Sequence, residues 1–529
     1  MKVLFIAINS IHEHEDSEFL GYEILLSCLQ QHKVEAEILH IEYKSVQEDI
    51  TKYLEGIDFS TIAMIGINCM YSTLKYVTTI CQHAKKINSK IHVTIGGALP
   101  SVASRDVLES LPDVDTVIIG EGERTICDLY NAVINGDDLS QCRGIAYRDN
   151  DTICLSPIRE LIKDMDTIPY ANRVMLEKNK YQFARIQSSR GCEGNCSFCA
   201  ESRFMKDDTN IHWRGRSPKN VVSEMEEIKR KYGVDTFIFC DSSFEDPVHN
   251  GKQRMLDICR EIKKRKLKVH FRVLFRSESV VKMEDELLEE LKESGLFHVF
   301  LGIESGYEPA LKIFHKRASV QDNAVAIEKI RRHKLNLTTG FIMFHPYTSI
   351  EEILENEKFI INNNLCFSTY SFISKMAVHK GAFIQTRAKE DGLLTENYSI
   401  FNPYEYVFKN PEVNEIYSLL QECFSVLRLN KAKELVNLLT YLEDDLRKKE
   451  NEKGVNSFCK QYYSIIDNVK EEIGQKQLSL FQFAVHQEGN REKAESMVNI
   501  LIETIEMSVW NLNKFHKEWM RFKIKNRIN

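Results

Sequence analysis

Short, almost uninterrupted apolar runs alternate with amphipathic stretches through much of the chain. The first run, from Lys2 to Ile8, is typical of a strand that is covered on both faces, and a helix is predicted from Phe19 to His32. Further strands are predicted at 36–41, 61–67, 92–96 and 114–120. Five strands that alternate with helices predict a doubly wound, Rossmann-like α/β domain with a parallel sheet.

The alternation restarts after residue 180, with predicted strands at 184–187, 236–240, 269–273, 299–303 and 338–343. Charged amphipathic segments separate these strands, which is the pattern of a partial (β/α) barrel of the six-strand type. In such a barrel, functional residues are expected at the carboxyl ends of the strands.

Beyond residue 400 the strand signal fades, and apolar residues recur at helical spacing at 415–448, 456–472 and 491–524. We therefore predict a Rossmann-like domain at 1–147, a linker at 148–180, a barrel domain at 181–400 and a helical C-terminal domain at 401–529. The helical domain is expected to cover the barrel mouth and exclude water. Its apolar stripe is interpreted as internal packing rather than as a groove for a partner.

Composition and charge argue against several classes of function. Hydrophobic residues make up 43% of the chain and charged residues 28%, which is the balance of a globular protein. The net charge of −7 provides no basic field, which argues against binding of a nucleic-acid backbone. No apolar stretch approaches the roughly 20 residues that span a bilayer, and the N-terminus lacks the pattern of a signal peptide. We expect no membrane partner and a cytoplasmic location.

Three of the fourteen cysteines are tightly clustered. Cys192, Cys196 and Cys199 have the spacing Cys-x3-Cys-x2-Cys, on one loop directly after a predicted strand. Iron–sulfur clusters require thiolate ligands, and three thiolates on a four-iron cluster leave one iron open. The alternatives are three unrelated thiols or an incomplete zinc site, although zinc motifs usually supply four ligands in paired spacings. Buried or incidental thiols are the preferred interpretation of Cys28, Cys69, Cys81, Cys127, Cys142 and Cys154.

With Phe198 just before its third cysteine, this motif resembles that of the radical S-adenosylmethionine superfamily. The resemblance implies a [4Fe-4S] cluster on the three cysteines, with S-adenosylmethionine bound at the open iron. Reductive cleavage of the sulfonium would then yield a 5′-deoxyadenosyl radical. An external electron donor such as flavodoxin or ferredoxin is implied as a partner.

The resemblance also implies contacts to S-adenosylmethionine from Phe198, Asp241, Ser242, Arg276 and Glu304. Asp241-Ser242-Ser243 stands where the family commonly has Gly-Gly-Glu. Arg276 could pair with the methionyl carboxylate or could be a solvated surface residue.

Two further positions lie at predicted strand ends. Gly302-Ile-Glu304-Ser-Gly306 resembles a turn in which the carboxylate accepts hydrogen bonds from the ribose, and the alternative is that Glu304 caps the next helix. His345 is interpreted as a packing residue rather than as a substrate contact.

Gly96-Gly-Ala-Leu-Pro100 and the segment from Gly120 to Glu123 resemble the cobalamin-binding domain that precedes many radical enzymes of this superfamily. The two resemblances together cover about residues 1–360. The implied cobalamin contacts are Asn9, Ser10, Asn68, Tyr71, Ser72, Gly96, Gly97, Gly120, Glu121, Gly122 and Glu123.

The Asp-x-His-x-x-Gly motif that supplies a histidine below the cobalt is missing. His12 and His14 lack that context, and the lower face would be left to the loop at 68–73. The alternative is a retained domain that binds no corrin and only shapes the site or an interface.

Methyl transfer through cobalamin to an unactivated carbon of a small molecule or peptide is the leading functional hypothesis. A cobalamin-dependent radical rearrangement, ring contraction or cyclisation without methyl transfer is the second. A hypothesis from another class is a cobalamin- or cluster-based sensor whose helical tail, with Trp510 and Trp519, docks a partner. A methylthiotransferase is disfavoured, because such enzymes resemble a different N-terminal domain with a second three-cysteine cluster.

Overall fold

The computed structural model describes residues 1–10, 18–43, 48–150, 152–179, 183–201, 213–245, 251–395, 398–425, 431–449, 455–486 and 491–526. His12 and His14 lie outside these ranges. The chain divides into two compact units, residues 1–267 with 377–405 and residues 268–376 with 406–529. The three domains and the linker inferred from the sequence stay a prediction.

The strands are β1 Lys2–Ser10, β2 Ala36–Tyr43, β3 Ile62–Asn68, β4 His92–Gly96, β5 Thr116–Ile118, β6 Ile145–Asp149, β7 Thr152–Leu155, β8 Ala184–Ile186, β9 Ser189–Gly191, β10 Trp213–Gly215, β11 Thr236–Phe239, β12 His270–Arg276, β13 Leu296–Glu304 and β14 Asn336–Phe341. The α-helices are α1 Leu20–Gln31, α2 Leu74–Ile87, α3 Ala98–Val102, α4 Ser104–Ser110, α5 Gly122–Asn135, α6 Val174–Asn179, α7 Pro218–Tyr232, α8 Gly251–Lys264, α9 Ser277–Lys282, α10 Asp285–Glu293, α11 Glu308–Ile313, α12 Val320–Arg332, α13 Ile350–Asn362, α14 Thr369–Ile373, α15 Phe383–Glu390, α16 Pro411–Ser425, α17 Lys431–Lys449, α18 Asn456–His486 and α19 Arg491–Asn526. Short 3-10 turns lie at Ile50–Leu54, Phe59–Thr61, Leu139–Gln141 and Met165–Thr167. No described helix is both long enough and apolar enough to cross a membrane.

The first unit contains a seven-stranded sheet in the order β2-β1-β3-β4-β5-β6-β7. Its first five strands in that order are parallel, which confirms the predicted Rossmann-like arrangement. The apolar run of β1 has a physical reason, because alternate residues face different cores. Leu4 and Ile6 lie in one hydrophobic cluster, and Val3 and Phe5 lie in the other.

The sheet continues beyond the predicted parallel part. β6 pairs with β5, and β7 pairs with β6, both antiparallel. β7 lies in the segment at 148–180 that was expected to be poor in strands. Its side chains are all exposed or half-buried, and an apolar run as short as Ile153–Leu155 does not by itself identify a strand.

The same unit contains the part of the chain that bears the clustered cysteines. β8 and β11 are parallel partners, as predicted for the barrel. The hairpin of β9 and β10 was not predicted; it pairs Arg190 with Arg214 directly across the two strands. Each strand of this hairpin is three residues long, too short to give a period-2 signal.

In the second unit, β12, β13 and β14 form a parallel sheet with helices between the strands. Arg272, His298 and Asn336 lie beside one another in register across the three strands, near their amino-terminal ends. Asp444 on α17 accepts hydrogen bonds from all three, at 3.2 Å from His298 Nδ1 and 2.8 Å from Asn336 Nδ2. The predicted helical region therefore closes the amino-terminal end of these strands.

Contacts also exist on the carboxyl side, where the lid was predicted. The ring of Tyr417 on α16 lies 5.1 Å from that of Phe344, which follows β14. The helical region is thus not only a cover for the carboxyl ends, because its α17 lies at the opposite end of the strands. Trp519 of α19 is fully buried and donates from Nε1 to Asp445 Oδ2 at 2.6 Å, which holds α19 against α17.

Candidate functional site

The three clustered cysteines lie on the loop that follows β9. The backbone N–H of Gly194 donates to Cys192 Sγ at 3.2 Å, and that of Cys199 donates to the carbonyl oxygen of Cys196 at 3.1 Å. The backbone N–H of Ile384, in α15, donates to the carbonyl oxygen of Ser197 at 2.9 Å. The loop is therefore fixed both by its own turns and by a segment that returns to it from far along the chain.

Two of the thiols converge on a position that only glycine can occupy comfortably. A Cβ at Gly194 would lie 3.2 Å from Cys192 Sγ and 3.7 Å from Cys196 Sγ. A backbone N–H aimed at sulfur favours the thiolate, which is the form that binds iron. These donors fit an iron–sulfur cluster. In the described ranges no three His, Cys, Asp or Glu side chains are already arranged as a metal site, and ligation by Cys192, Cys196 and Cys199 stays a prediction.

Asp241, predicted to contact S-adenosylmethionine, is instead bonded to the strand that leads into the cysteine loop. Its carboxylate accepts from the backbone N–H groups of Ser188 at 2.7 Å and Ser189 at 3.0 Å, and from the Ser188 hydroxyl. Burial raises the pKa of Asp241 above its ordinary value, although these donors oppose the shift. Both carboxylate oxygens thus serve to position the entry to the cysteine loop.

A second carboxylate, which the sequence analysis did not name, reaches the end of β11. The hydroxyl oxygen of Ser242 lies 2.5 and 2.6 Å from the two carboxylate oxygens of Glu201, two positions after Cys199. Burial raises the pKa of Glu201. The carboxylate beside the Asp241-Ser242-Ser243 motif therefore comes from the cysteine loop rather than from the motif itself. Phe198 is half-buried on the same loop.

At the carboxyl edge of the seven-stranded sheet, the predicted cobalamin residues that follow β3, β4 and β5 come together. Gly97 has φ +110°, and a Cβ there would lie 2.1 Å from Asn68 Oδ1, so only glycine fits. The Ser101 hydroxyl donates to the carbonyl oxygen of Gly97 at 2.7 Å and accepts from the N–H of Gly120 at 3.0 Å. Gly96 ends β4 and accepts the N–H of Cys69 at 3.0 Å.

The loop after β3 presents mixed chemistry at this edge. Met70 is 49% exposed and Ser72 is exposed, while the ring of Tyr71 stacks on that of His379 with centroids 5.6 Å apart. Burial lowers the pKa of His379. Glycine backbone beside an exposed apolar side chain and a hydroxyl fits a flat corrin ring with amide groups at its periphery. Asn9 and Ser10 are the last residues of β1.

The structure gives Glu121 and Glu123 a role other than the predicted corrin contact. Glu121 accepts from Arg190 and Arg214, each at 2.9 Å, and from the backbone N–H of Ile162 at 2.7 Å. Glu123 accepts from Arg190. Burial alone would raise the pKa of Glu123, but the Arg190 guanidinium reverses this and holds it below its usual range.

Gly122, between these two glutamates, packs on α1. A Cβ there would lie 3.2 Å from Leu25 Cδ2. The residue therefore serves helix packing in this structure, and a contact from Gly122 to a corrin stays a prediction.

In the second unit, Glu304 ends β13 with the left-handed φ of +68°. Its carboxylate lies across the strand ends, because a Cβ at Gly302 would be 3.0 Å from Oε1 and one at Gly340 would be 3.4 Å from Oε2. Lys316, which the sequence analysis missed, donates from Nζ to the carbonyl oxygen of Gly302 at 3.0 Å and lies 3.6 Å from Glu304 Oε1.

Two asparagines hold the strained turn at Glu304. Asn356 Oδ1 accepts from the Ser305 hydroxyl and the Gly306 N–H, at 2.9 and 2.7 Å, and Asn323 Nδ2 donates to the carbonyl oxygens of Ile303 and Ser305. A non-glycine residue held at positive φ by its surroundings is typical of a functional position. The alternative that Glu304 caps the next helix is wrong, because α11 begins after Tyr307. A carboxylate fixed in this way fits the hydroxyls of a ribose.

Arg276 and His345 are both withdrawn from solvent. Arg276 ends β12 with its side chain 11% exposed and pairs with Glu278 at 3.3 Å, so it is not a solvated surface residue. His345 is fully buried, with Nε2 3.0 Å from Glu352 Oε2, which confirms that it packs.

Two family models match this chain: the B12 binding domain at residues 13–130 and the radical SAM superfamily at residues 186–360. An uncharacterized methyltransferase of Pyrococcus horikoshii is 29% identical over 317 residues, which cover 59% of this chain and 66% of that protein. The anaerobic magnesium-protoporphyrin IX monomethyl ester cyclase of Cereibacter sphaeroides is 29% identical over 323 residues, which cover 59% of this chain and 50% of that protein. The chain thus spans between half and two thirds of these relatives.

Among solved structures, the chain is similar to OxsB, a cobalamin-dependent S-adenosylmethionine radical enzyme with aqua-cobalamin and S-adenosylmethionine bound. The TM-score is 0.72 at 18% identity, and the match covers 100% of this chain and 81% of OxsB. This likeness shows a common fold that includes the helical C-terminal region.

The two family matches lie on the two predicted α/β parts and together cover more than half of the chain. They agree with the three-cysteine loop and with the glycine-rich sheet edge. The chain belongs to the cobalamin-binding radical S-adenosylmethionine superfamily, whose cofactors are a [4Fe-4S] cluster, S-adenosylmethionine and cobalamin.

Proposed function

We propose that this protein is a C-methyltransferase that acts on an unactivated carbon of a small-molecule substrate. The observation that carries the proposal is the presence, in one compact unit, of thiols converging over Gly194 and a sheet edge where Gly97 abuts Asn68. When bound, the cluster supplies the electron that cleaves S-adenosylmethionine, and cobalamin supplies the methyl group. The methyltransferase relative supports this reaction class.

The residues of the chain have separable tasks in this proposal. Cys192, Cys196 and Cys199 would hold the cluster, and Asp241 would set the path of the loop that carries them. Glu304 would accept the ribose hydroxyls of S-adenosylmethionine from its strained turn, because its carboxylate is already fixed there.

The remaining predicted contacts stay part of the same proposal. Ser242, Phe198 and Arg276 would contact S-adenosylmethionine, and an external electron donor such as flavodoxin or ferredoxin would supply electrons. The loop with Tyr71 and Ser72 would meet the lower face of the corrin. The proposed domain boundaries are 1–147, 148–180, 181–400 and 401–529.

Radical cyclisation without methyl transfer is the second candidate. It is favoured by the relative named as a monomethyl ester cyclase. The two candidates use the same cofactors and differ in whether S-adenosylhomocysteine is formed.

The test is anaerobic reconstitution with iron, sulfide and hydroxocobalamin, followed by reduction with S-adenosylmethionine. We expect bound iron, bound corrin, 5′-deoxyadenosine and S-adenosylhomocysteine. Deoxyadenosine without S-adenosylhomocysteine, in the presence of a substrate that is consumed, would favour cyclisation. An intact cluster that forms no deoxyadenosine would contradict both enzymatic candidates and favour a sensor.

Single cysteine variants make the test specific. Replacing Cys192, Cys196 or Cys199 with Ala should remove the cluster iron and all deoxyadenosine. Cys154→Ala is the matched control, because this half-buried cysteine lies in β7, away from the cluster loop in sequence. Normal iron content in the three variants would contradict the ligand assignment.

A further inference from the structure

Two buried arginines lie side by side at the base of the cysteine loop. Arg190 is in β9, two residues before Cys192, and Arg214 is its register partner in β10. Both side chains are less than a tenth exposed. Two adjacent guanidinium groups repel each other, so their burial requires carboxylates of matching number and position.

The carboxylates come from the start of α5, where Glu121 directly precedes the helix and Glu123 lies in its first turn, within the residues that match the B12 binding domain. Arg190 donates to Glu121 at 2.9 Å and also to Glu123, while Arg214 donates to Glu121 at 2.9 Å and to the carbonyl oxygen of Ile162 at 2.8 Å. Glu121 and Glu123 are themselves less than a tenth exposed. All four charged side chains of this ion-pair cluster are thus largely withdrawn from solvent.

The ion-pair cluster adjoins the glycine-rich edge of the sheet. Gly120 directly precedes Glu121 and is hydrogen bonded through the Ser101 hydroxyl to the carbonyl oxygen of Gly97. Ion pairs and hydrogen bonds therefore connect the cysteine hairpin to the backbone that is proposed to face the corrin. The two loops have separate positions in sequence but share one set of buried charges.

We propose that Arg190 is a positioning residue that ties the cysteine loop to the β5–α5 loop, so that cluster assembly and cobalamin binding strengthen each other. This rests on the proposed function for the two cofactors. The coupling is reciprocal. If the iron–sulfur cluster increases the affinity for cobalamin by some factor, cobalamin increases the affinity for the cluster by the same factor. A simple structural tie would stabilise the fold without any such factor.

Glu123→Gln tests the tie at its far end, because it removes one charge while keeping size and a hydrogen-bond acceptor. Arg190→Lys keeps the charge but loses the forked geometry that reaches two carboxylates at once. Asp128→Asn is the matched control: Asp128 lies on the same helix α5 and pairs with Arg159 at 2.5 Å, but it is more than half exposed.

The first measurement uses hydrogen exchange on the full chain without cofactors. Amides at 189–199 should exchange at least about fivefold faster in Glu123→Gln than in the wild type, and should be unchanged in Asp128→Asn. Equal protection in both Glu123→Gln and Arg190→Lys would overturn the tie itself, and this result does not depend on either cofactor.

The second measurement is the Kd of hydroxocobalamin with and without the reconstituted cluster. We expect the cluster to tighten wild-type binding by at least about fivefold, the lower range of typical couplings. That factor should fall to within about twofold in Glu123→Gln, be intermediate in Arg190→Lys and be retained in Asp128→Asn.

The outcomes separate this inference from the proposed function. A wild type that binds both cofactors with no coupling, or full coupling in both Glu123→Gln and Arg190→Lys, would refute only the role of Arg190. A wild type that binds no cobalamin would refute the proposed function and this coupling with it.

Discussion

Replacing Asp444 by Asn should destabilise the second unit severely. The Asp444 side chain is 4% exposed and pairs with Arg272, whose side chain is 31% exposed, and with His298. Burial alone would raise the pKa of Asp444, but hydrogen bonds from His298 and the charge of Arg272 lower it below its ordinary value. The carboxylate is therefore charged at neutral pH and is the anionic partner of side chains on three strands.

The expected size follows from that geometry. Breaking a buried ion pair costs about 3–5 kcal/mol, and the partial exposure of Arg272 reduces the expected cost to just below that range, about 2–3 kcal/mol. For a unit of this size, 1 kcal/mol corresponds to about 2–4 °C in Tm, so we expect a decrease of about 4–12 °C. Because the folded-state pKa is depressed, the wild-type advantage is present above the unfolded pKa of about 3.9 and is lost as the pH falls through the folded value.

Thermal and denaturant unfolding of Asp444→Asn, at pH 7 and at pH 3, would measure both effects. Asp257→Asn is the control, because the exposed Asp257–Arg260 pair on α8 should contribute less than about 1 kcal/mol. A loss below about 1 kcal/mol in Asp444→Asn at pH 7, or a loss that does not shrink at pH 3, would refute the reasoning.

Two further substitutions test the site and its support. Lys316→Met removes the cation beside Glu304 and should weaken S-adenosylmethionine binding about tenfold, since a charged hydrogen bond contributes about 1.5–3 kcal/mol. The content of cluster iron should be unchanged. Equilibrium binding measures the affinity, with substitution of the exposed Lys358 by Met as the control, and an unchanged affinity in Lys316→Met would contradict the prediction. Glu23→Gln should change the pH dependence of stability. Burial, and next the charge of Glu18, raise the pKa of Glu23 above its ordinary value of 4.5. The free energy of unfolding of the wild type therefore decreases as the pH rises above 4.5. The variant should gain on the wild type by up to about 1.4 kcal/mol per pH unit in urea unfolding between pH 5 and 8, and a difference independent of pH would contradict this sign.

The regular parts of the fold could be predicted from the sequence because their signal is local. The runs that form β1 and β3 are apolar on both faces, and such runs are visible without knowledge of any partner. The cysteine loop is equally local, since its three thiols fall within eight residues. Strands β9 and β10 were missed because each contains an Arg and a Gly and has no apolar run, and β7 because its short run stands in an otherwise polar segment.

The charged part of the site could not be predicted, because its meaning lies in distant partners. Glu121 and Glu123 stand beside glycines at the start of α5 and were interpreted as ligand contacts, whereas in the structure they accept from Arg190 and Arg214. Nothing in the sequence near either glutamate identifies an arginine about 70 positions later.

The same limit applies to the partners of Asp241 and Ser242. The motif at the end of β11 offered Asp241 as the acid, yet its Oδ1 accepts from the Ser188 and Ser189 N–H groups and its Oδ2 from the Ser188 hydroxyl, since a buried N–H that is left unpaired is costly. Glu201, two residues beyond Cys199, then brings a carboxylate to Ser242. The motif could predict that a carboxylate lies at the end of β11. The hydrogen-bond partners of each carboxylate depend on the folded loop and could not be predicted from the motif.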